Sequence, residues 1–334
     1  MVPYTQSTIR INSPMDSLLG NILILLMLLF VVGKSASWAV RAAISFSRQI
    51  GLSELAISFV VITGISILPE AIIAGVSAVR GVPSLALGTL LGSNVADLTI
   101  VLAAAAIFSP HVLRANRSLL DKDHLFLGFL LIPLALGFTG HFSRLDGLLL
   151  VGSGIFFSIL MYRSATPTGR LHALNGLSVA KSVAILAASL LCMGAGAFYT
   201  VAYAVRIAGD AGLNSALIGL LVVSLGTTLP ELLFSIRAVR LGHSTLAIGD
   251  ILGTVVADAT LVLGITALIH PFSFNPRLVI LTGFFMLFAG ILALSFLRSE
   301  RTLTRSEAAI LFALYGVFVA VEFFLRDWTP LSTQ

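Results

Sequence analysis

A chain of 334 residues that is 57% hydrophobic and only 10% charged has more apolar surface than a soluble core can hide, which excludes a water-soluble globular domain. A single cysteine, Cys192, excludes an internal disulfide and any multi-cysteine metal site. The formal charge of +5 is spread as membrane topology rather than gathered as a nucleic-acid patch.

The polar start MVPYTQSTIRINSPMD leads into an apolar run with no small-residue cleavage site followed by a soluble domain, so the run reads as a retained helix. Apolar stretches of about 20 residues, the length that crosses a bilayer, predict ten helices. They fall at 17–40, 53–79, 83–108, 124–140, 145–162, 180–205, 214–239, 244–269, 276–297 and 306–325. Polar punctuation separates them, and the segment YRSATPTGRLHALNG at 162–176 divides five helices from five. The expected organisation is a first repeat at 1–163, a cytosolic linker at 164–178 and a second repeat at 179–334.

Basic residues set the orientation. Thirteen of the 20 Lys and Arg fall in loops on one side, among them Arg41, Arg114, Arg163, Arg237 and Arg298, against six on the other, with Lys34 inside the first helix. That bias predicts both termini outside the cell membrane. Because five is odd, the two halves are then expected to be inverted relative to each other.

One stretch occurs twice, GISILPEAIIAGVSAVRGVPSLALGTLLGSNVADLT in the first half and LGTTLPELLFSIRAVRLGHSTLAIGDILGTVVADAT in the second. Seven pairs keep one spacing of 161: Pro69 with Pro230, Glu70 with Glu231, Gly81 with Gly242, Gly88 with Gly249, Gly92 with Gly253, Asp97 with Asp258, and Thr99 with Thr260. Each copy sets two carboxylates in apolar surroundings, where a charge costs about 2.5 to 3.5 kcal/mol even on lenient scales. Such residues call for a cation or a proton.

Proline removes a backbone donor and crowds the preceding turn, so the second and seventh helices should break near the midplane before Pro69 and Pro230. Thr228 to Glu231 fits the T-x-x-E capping-box pattern of a helix starting afresh, whereas Ile67 cannot cap. Thr89, Ser93 and Asp97 are spaced by four, as are Asp250, Thr254 and Asp258, which puts each triplet on one helical face. For Thr89 and Asp250 a helix-gluing role stands level with an ion-binding one. Glu70, Glu231, Asp97 and Asp258 with Ser66, Ser93, Thr227, Thr228 and Thr254 make an all-oxygen metal site suited to a hard cation such as Ca²⁺. The six histidines fall at helix ends or loops and read as interfacial.

At these residues the chain resembles the cation/calcium exchanger superfamily, and most of all its prokaryotic sodium/calcium exchanger branch. That family carries two alpha-repeats with a G-T-S-L-P-E segment and a G-S-N-x-x-(N/D) segment, which read here as SILPE with GSNVAD and as GTTLPE with GTVVAD. The resemblance implies an all-α membrane protein of ten transmembrane helices in two inverted five-helix repeats. It makes Glu70 and Glu231 the central calcium ligands, with Asp97 and Asp258 lining neighbouring monovalent sites. Ser66, Thr227, Thr228, Ser93 and Thr254 complete the coordination. Three departures stand out: Ile67 at a hydroxyl position, Val255 at an asparagine position and Asp97 where asparagine is common.

The implied function is secondary active antiport of Ca²⁺ or a related divalent cation for Na⁺ by alternating access, with the first and sixth helices moving against the core. No enzyme activity and no cofactor are expected; bound Ca²⁺ and Na⁺ are cargo. The bilayer is the expected partner, with no nucleic acid and no obligatory protein. The extra charge of Asp97 also admits H⁺ or K⁺ coupling, since like carboxylates in low dielectric favour each other's protonated form. A cation channel lined by acidic rings is a rival of another class. An intramembrane aspartyl hydrolase is suggested by AIGD at 247–250, but four carboxylates in two equivalent pairs exceed that chemistry.

Overall fold

The computed structural model describes residues 18–49, 63–110, 113–115, 123–164, 178–240, 242, 244–299 and 302–324. Outside them lie the polar N-terminal stretch, the start of the predicted second helix, most of the predicted linker and the C-terminal tail, together with His111, His172 and His243.

Helix α1 is Leu18–Gln49, and α2 comprises Thr63–Ser66 and Leu68–Val79. Helix α3 is Pro83–Phe108, α4 is Asp123–Gly137, α5 is Arg144–Ser164 and α6 is Val179–Asp210. Helix α7 is Ser215–Arg240, and α8 runs through Ser244–Ala257, Asp258–Val262 and Leu263–Ile269. Helices α9, Pro276–Arg298, and α10, Arg305–Phe324, complete the set. Among the described residues eight helices are long and apolar enough to cross a membrane, while Leu68–Val79 and His124–Gly137 are shorter apolar helices. Outward-facing Leu19, Phe30, Leu191, Phe284 and Phe324 are well exposed, as lipid contact requires.

The spacing of 161 recurs in the elements. Leu68–Val79 and Leu229–Arg240 share it at both ends, as do Pro83–Ala96 and Ser244–Ala257. The turns between these helices need glycine: Gly81 and Gly242 have φ of 72° and 85°, where a side chain is strained. At the first turn the Val82 amide donates back to the Ser77 carbonyl, closing the helix end.

Capping follows water. Ser143 and Asp146 at the start of α5 exchange side-chain and backbone hydrogen bonds, and Thr304 with Glu307 do so at α10, again 161 residues on. Thr228 and Glu231 do not form the box that their spacing predicts. Thr228 keeps a right-handed helical backbone and its hydroxyl donates to the Ser224 carbonyl at 2.8 Å, because the helix is kinked there rather than begun anew. The Thr228 amide bonds to Ser224 and the Leu232 amide to Thr228, and the same two bonds bridge Ile67 in α2. The interruption expected at Pro69 and Pro230 is therefore a one-residue kink.

Helices α3 and α8 form the centre: 89% and 83% of their spans are buried, against 28% for α6. The first part of α7 lies against α3, α5 lies on the end of α8, and α1 runs along α6. Glycine sets these approaches. A β-carbon at Gly88 or Gly92 would run into the backbone of Ala216 or Leu220, and Gly147 and Gly264 meet backbone to backbone where α5 crosses α8.

The all-α expectation misses two small ribbons. Strand β1, Leu113–Arg114, pairs antiparallel with β4, Thr302–Leu303; β2, His141–Phe142, pairs with β3, Phe272–Ser273. Each joins the first half of the chain to the second.

Replacing Gly92 by Ala should lower the melting temperature of the detergent-purified protein, at a cost of about 1 to 3 kcal/mol from overpacking. Gly75 has open space around it. There Gly75→Ala should be neutral or stabilising by about 0.5 to 1 kcal/mol through helix propensity.

Candidate cation site

The kinks put Glu70 and Glu231 in the first turn of the second segments of α2 and α7, each with its carboxylate beside its own backbone amide at the positive end of that segment. Both are 1% exposed. Asp97 and Asp258, at 1% and 0%, stand where α3 and α8 change their winding. Each is the first residue of a five-residue π turn, Asp97–Val101 and Asp258–Val262. The wider turn sets the downstream helix at a new angle, and the hydroxyls of Thr99 and Thr260 donate to the Val95 and Val256 carbonyls beside it. This explains why Thr99 and Thr260 belong to the repeated stretch.

These side chains gather inside the bundle. Glu70 lies close enough to Asp97, Glu231 and Asp258 for their charges to repel, and Asp97 does so with Glu231 and Asp258. Six of their oxygens are buried without a hydrogen-bond partner: Oε2 of Glu70, Oδ1 of Asp97 and both oxygens of Glu231 and of Asp258. Buried polar atoms are nearly always bonded, so such a group of acceptors without donors has the character of a cation site. Among the described residues no three acidic, imidazole or thiol groups converge at ligating distance on one point.

The hydroxyls divide. Thr227 stands beside Glu70 and Ser93 beside Asp258, yet their hydroxyls donate to the Ser224 and Leu90 carbonyls at 3.0 and 3.1 Å. Lone pairs on both remain for a cation. Thr228 is buried and bonded to Ser224, and Thr254 is buried with its hydroxyl unpartnered. Ser66, expected among the ligands, instead donates to both oxygens of Asp250 at 3.2 and 3.3 Å.

Asp250 is the residue that spacing alone left undecided. It is fully buried and near enough to Asp97 and Glu231 to repel them. Its place one turn before Thr254 was the available signal. Asn94 lies outside the expected set, yet both its amide atoms are buried without a partner, beside Ser93. The described histidines His124, His141 and His270 are exposed, as is Lys34, so none of them serves the site.

This is the arrangement of an ion-translocating membrane protein, with acidic and hydroxyl groups buried among kinked helices. The family model described as "Sodium/calcium exchanger protein" matches residues 20–163 and again 181–324, and the chain belongs to that family. It is 24% identical to the "Sodium/calcium exchanger MaX1" of Methanosarcina acetivorans, over 91% of this chain and 99% of that one. It is 29% identical to the "Inner membrane protein YrbG" of Escherichia coli, over 78% of this chain and 82% of that one. Among solved structures it is similar to the sodium-calcium exchanger NCX_Mj soaked with Na⁺ and Sr²⁺, with a TM-score of 0.65 and 23% identity over 91% of this chain and 97% of that one. The likeness to that structure is one of fold.

Glu231→Gln and Asp258→Asn each remove a buried charge that is repelled by neighbouring carboxylates. In cation-free buffer both variants should melt higher than the parent, by about 1 kcal/mol or more. Thermal unfolding in chelator checks this.

Proposed function

We propose that the chain is an antiporter that exchanges Ca²⁺ for Na⁺ by alternating access, with Glu70, Glu231, Asp97 and Asp258 as the charged ligands. The observation that carries this reading is the set of six buried, unpartnered carboxylate oxygens contributed by both copies of the repeated stretch. Because no three acids converge closely among the described residues, a Ca²⁺ ion would draw on carboxylates in pairs and fill its shell of six to eight oxygens from Ser93, Thr227, Thr228, Thr254, Ser66 and backbone carbonyls at the kinks.

In this reading all ten helices cross the cell membrane, residues 1–163 and 179–334 are inverted repeats joined by a cytosolic linker at 164–178, and both termini are extracellular. The recurrence of element ends at one spacing supports the repeat, and the bias of Lys and Arg supports the orientation. Helices α1 and α6 pack along each other at the periphery and are the moving pair. Without cargo the pocket's charge is uncompensated, which opposes a return empty and makes transport an exchange. Membership of the sodium/calcium exchanger family favours Na⁺ over H⁺ or K⁺ as counter-ion, and favours a carrier over a channel.

Uptake of ⁴⁵Ca²⁺ into proteoliposomes under imposed Na⁺, K⁺ and H⁺ gradients tests this. An outward Na⁺ gradient should drive uptake; flux with no counter-ion would mark a channel. Glu70→Gln and Glu231→Gln should each lower uptake by about a hundredfold, the cost of losing a buried charged ligand. Parent-like transport in both would remove these glutamates from the site.

A further inference from the structure

We infer that Asp250, with Thr63, Ser66 and Thr254, forms a monovalent-cation subsite that exists in one half of the chain only. It deepens the exchange reading above and rests on it. Asp250 is fully buried two turns into α8, and across from it the α2 segment Thr63–Ser66 presents both of its hydroxyls. Thr63 donates to Oδ1 at 3.5 Å, and Ser66 to both oxygens. The bare backbone of Gly253 makes the room: a β-carbon there would stand 2.9 Å from the Thr63 hydroxyl. One turn further along the same face, the Thr254 hydroxyl is 1% exposed and has no partner.

The other half has the same parts without the charge. Counting back 161 from Asp250 gives Thr89, whose hydroxyl donates to the Leu85 carbonyl of its own helix. Ser224 and Thr227, which correspond to Thr63 and Ser66, also donate to their own helix, at Leu220 and Ser224. Thus one triplet holds a carboxylate with two hydroxyl donors, and its mirror holds three hydroxyls and no charge.

A single carboxylate balances a single positive charge, and three hydroxyls retain lone pairs for the rest of a small shell. A divalent ion would want several carboxylates. Asp250 also stands close enough to Asp97 and Glu231 to repel them, so this half brings one more carboxylate to the pocket than its counterpart does. On the proposed topology both Thr63 and Asp250 lie on the cytosolic side of the kinks, which makes this the inward-facing end of the pocket.

The test uses the full chain in proteoliposomes, with Asp250→Thr, which copies Thr89, and Asp250→Asn. Both variants should still exchange Na⁺ for ⁴⁵Ca²⁺. The Na⁺ concentration for half-maximal exchange should rise about tenfold, as for the loss of one charged ligand, while that for Ca²⁺ stays within about twofold. Unchanged Na⁺ dependence in both variants, or an equal weakening for Ca²⁺, overturns the subsite. If a variant does not transport, Na⁺ displacement of ⁴⁵Ca²⁺ bound to the detergent-purified protein decides: a higher Na⁺ requirement supports the subsite, and the parental one overturns it. A parent that takes up no ⁴⁵Ca²⁺ under any gradient counts against the exchange reading instead, and the displacement assay still judges Asp250.

Discussion

Carboxylates at the centre of an apolar bundle are the constraint on which the rest of the structure depends. Glu70, Asp97, Glu231, Asp250 and Asp258 are all within 1% of complete burial and several lie close enough to repel one another. Removing one such group from water costs several kcal/mol. A fold that keeps five must hold them firmly, and the two most buried helices, α3 and α8, carry three of them. The kinks of α2 and α7 bring the other two, each at the positive end of a helical segment that partly offsets its charge.

The close packing follows from the same need. Gly88 and Gly92 let α7 lie backbone to backbone on α3, and Gly253 lets Thr63 reach α8. At these contacts backbone meets backbone or a small side chain, which leaves little room for water beside the carboxylates. Carbonyl and hydroxyl oxygens, those of Ala216, Leu220 and Thr63, are the nearest atoms at these contacts. A core of leucine would be as dry but would have nothing to offer a cation.

Much of this was legible in the sequence because its physics is local. The spans at 83–108 and 244–269 were predicted to the residue, since proline or a polar turn starts each and the apolar run simply ends. The prolines gave the kinks. What they could not give was their sharpness, because the amides of Ala71 and Leu232 reach back across them. The capping-box pattern misled at Thr228, where a carbonyl one turn back was a nearer partner than the Glu231 amide. The same pattern does cap at Ser143 and Thr304, where the helix begins. The π turns left no trace in composition, because an inserted residue changes winding and not hydropathy. Asp250 was ambiguous for a related reason: its partners Thr63 and Ser66 are distant in sequence and became neighbours only on folding.

The two ribbons have a mechanical consequence. Each is anchored by buried side chains: Leu113 and Leu303 in one, Phe142 and Phe272 in the other, where Phe274 completes an aromatic knot. They stitch the N-terminal half to the C-terminal half at two separate seams, while α1 and α6 contribute no strand to either. Swinging the halves apart like jaws would cost both ribbons their cross-strand hydrogen bonds and uncover their buried side chains. In the proposed exchange cycle the ribbons hold these two seams together, while α1 and α6, which carry no strand of either ribbon, are left unstitched.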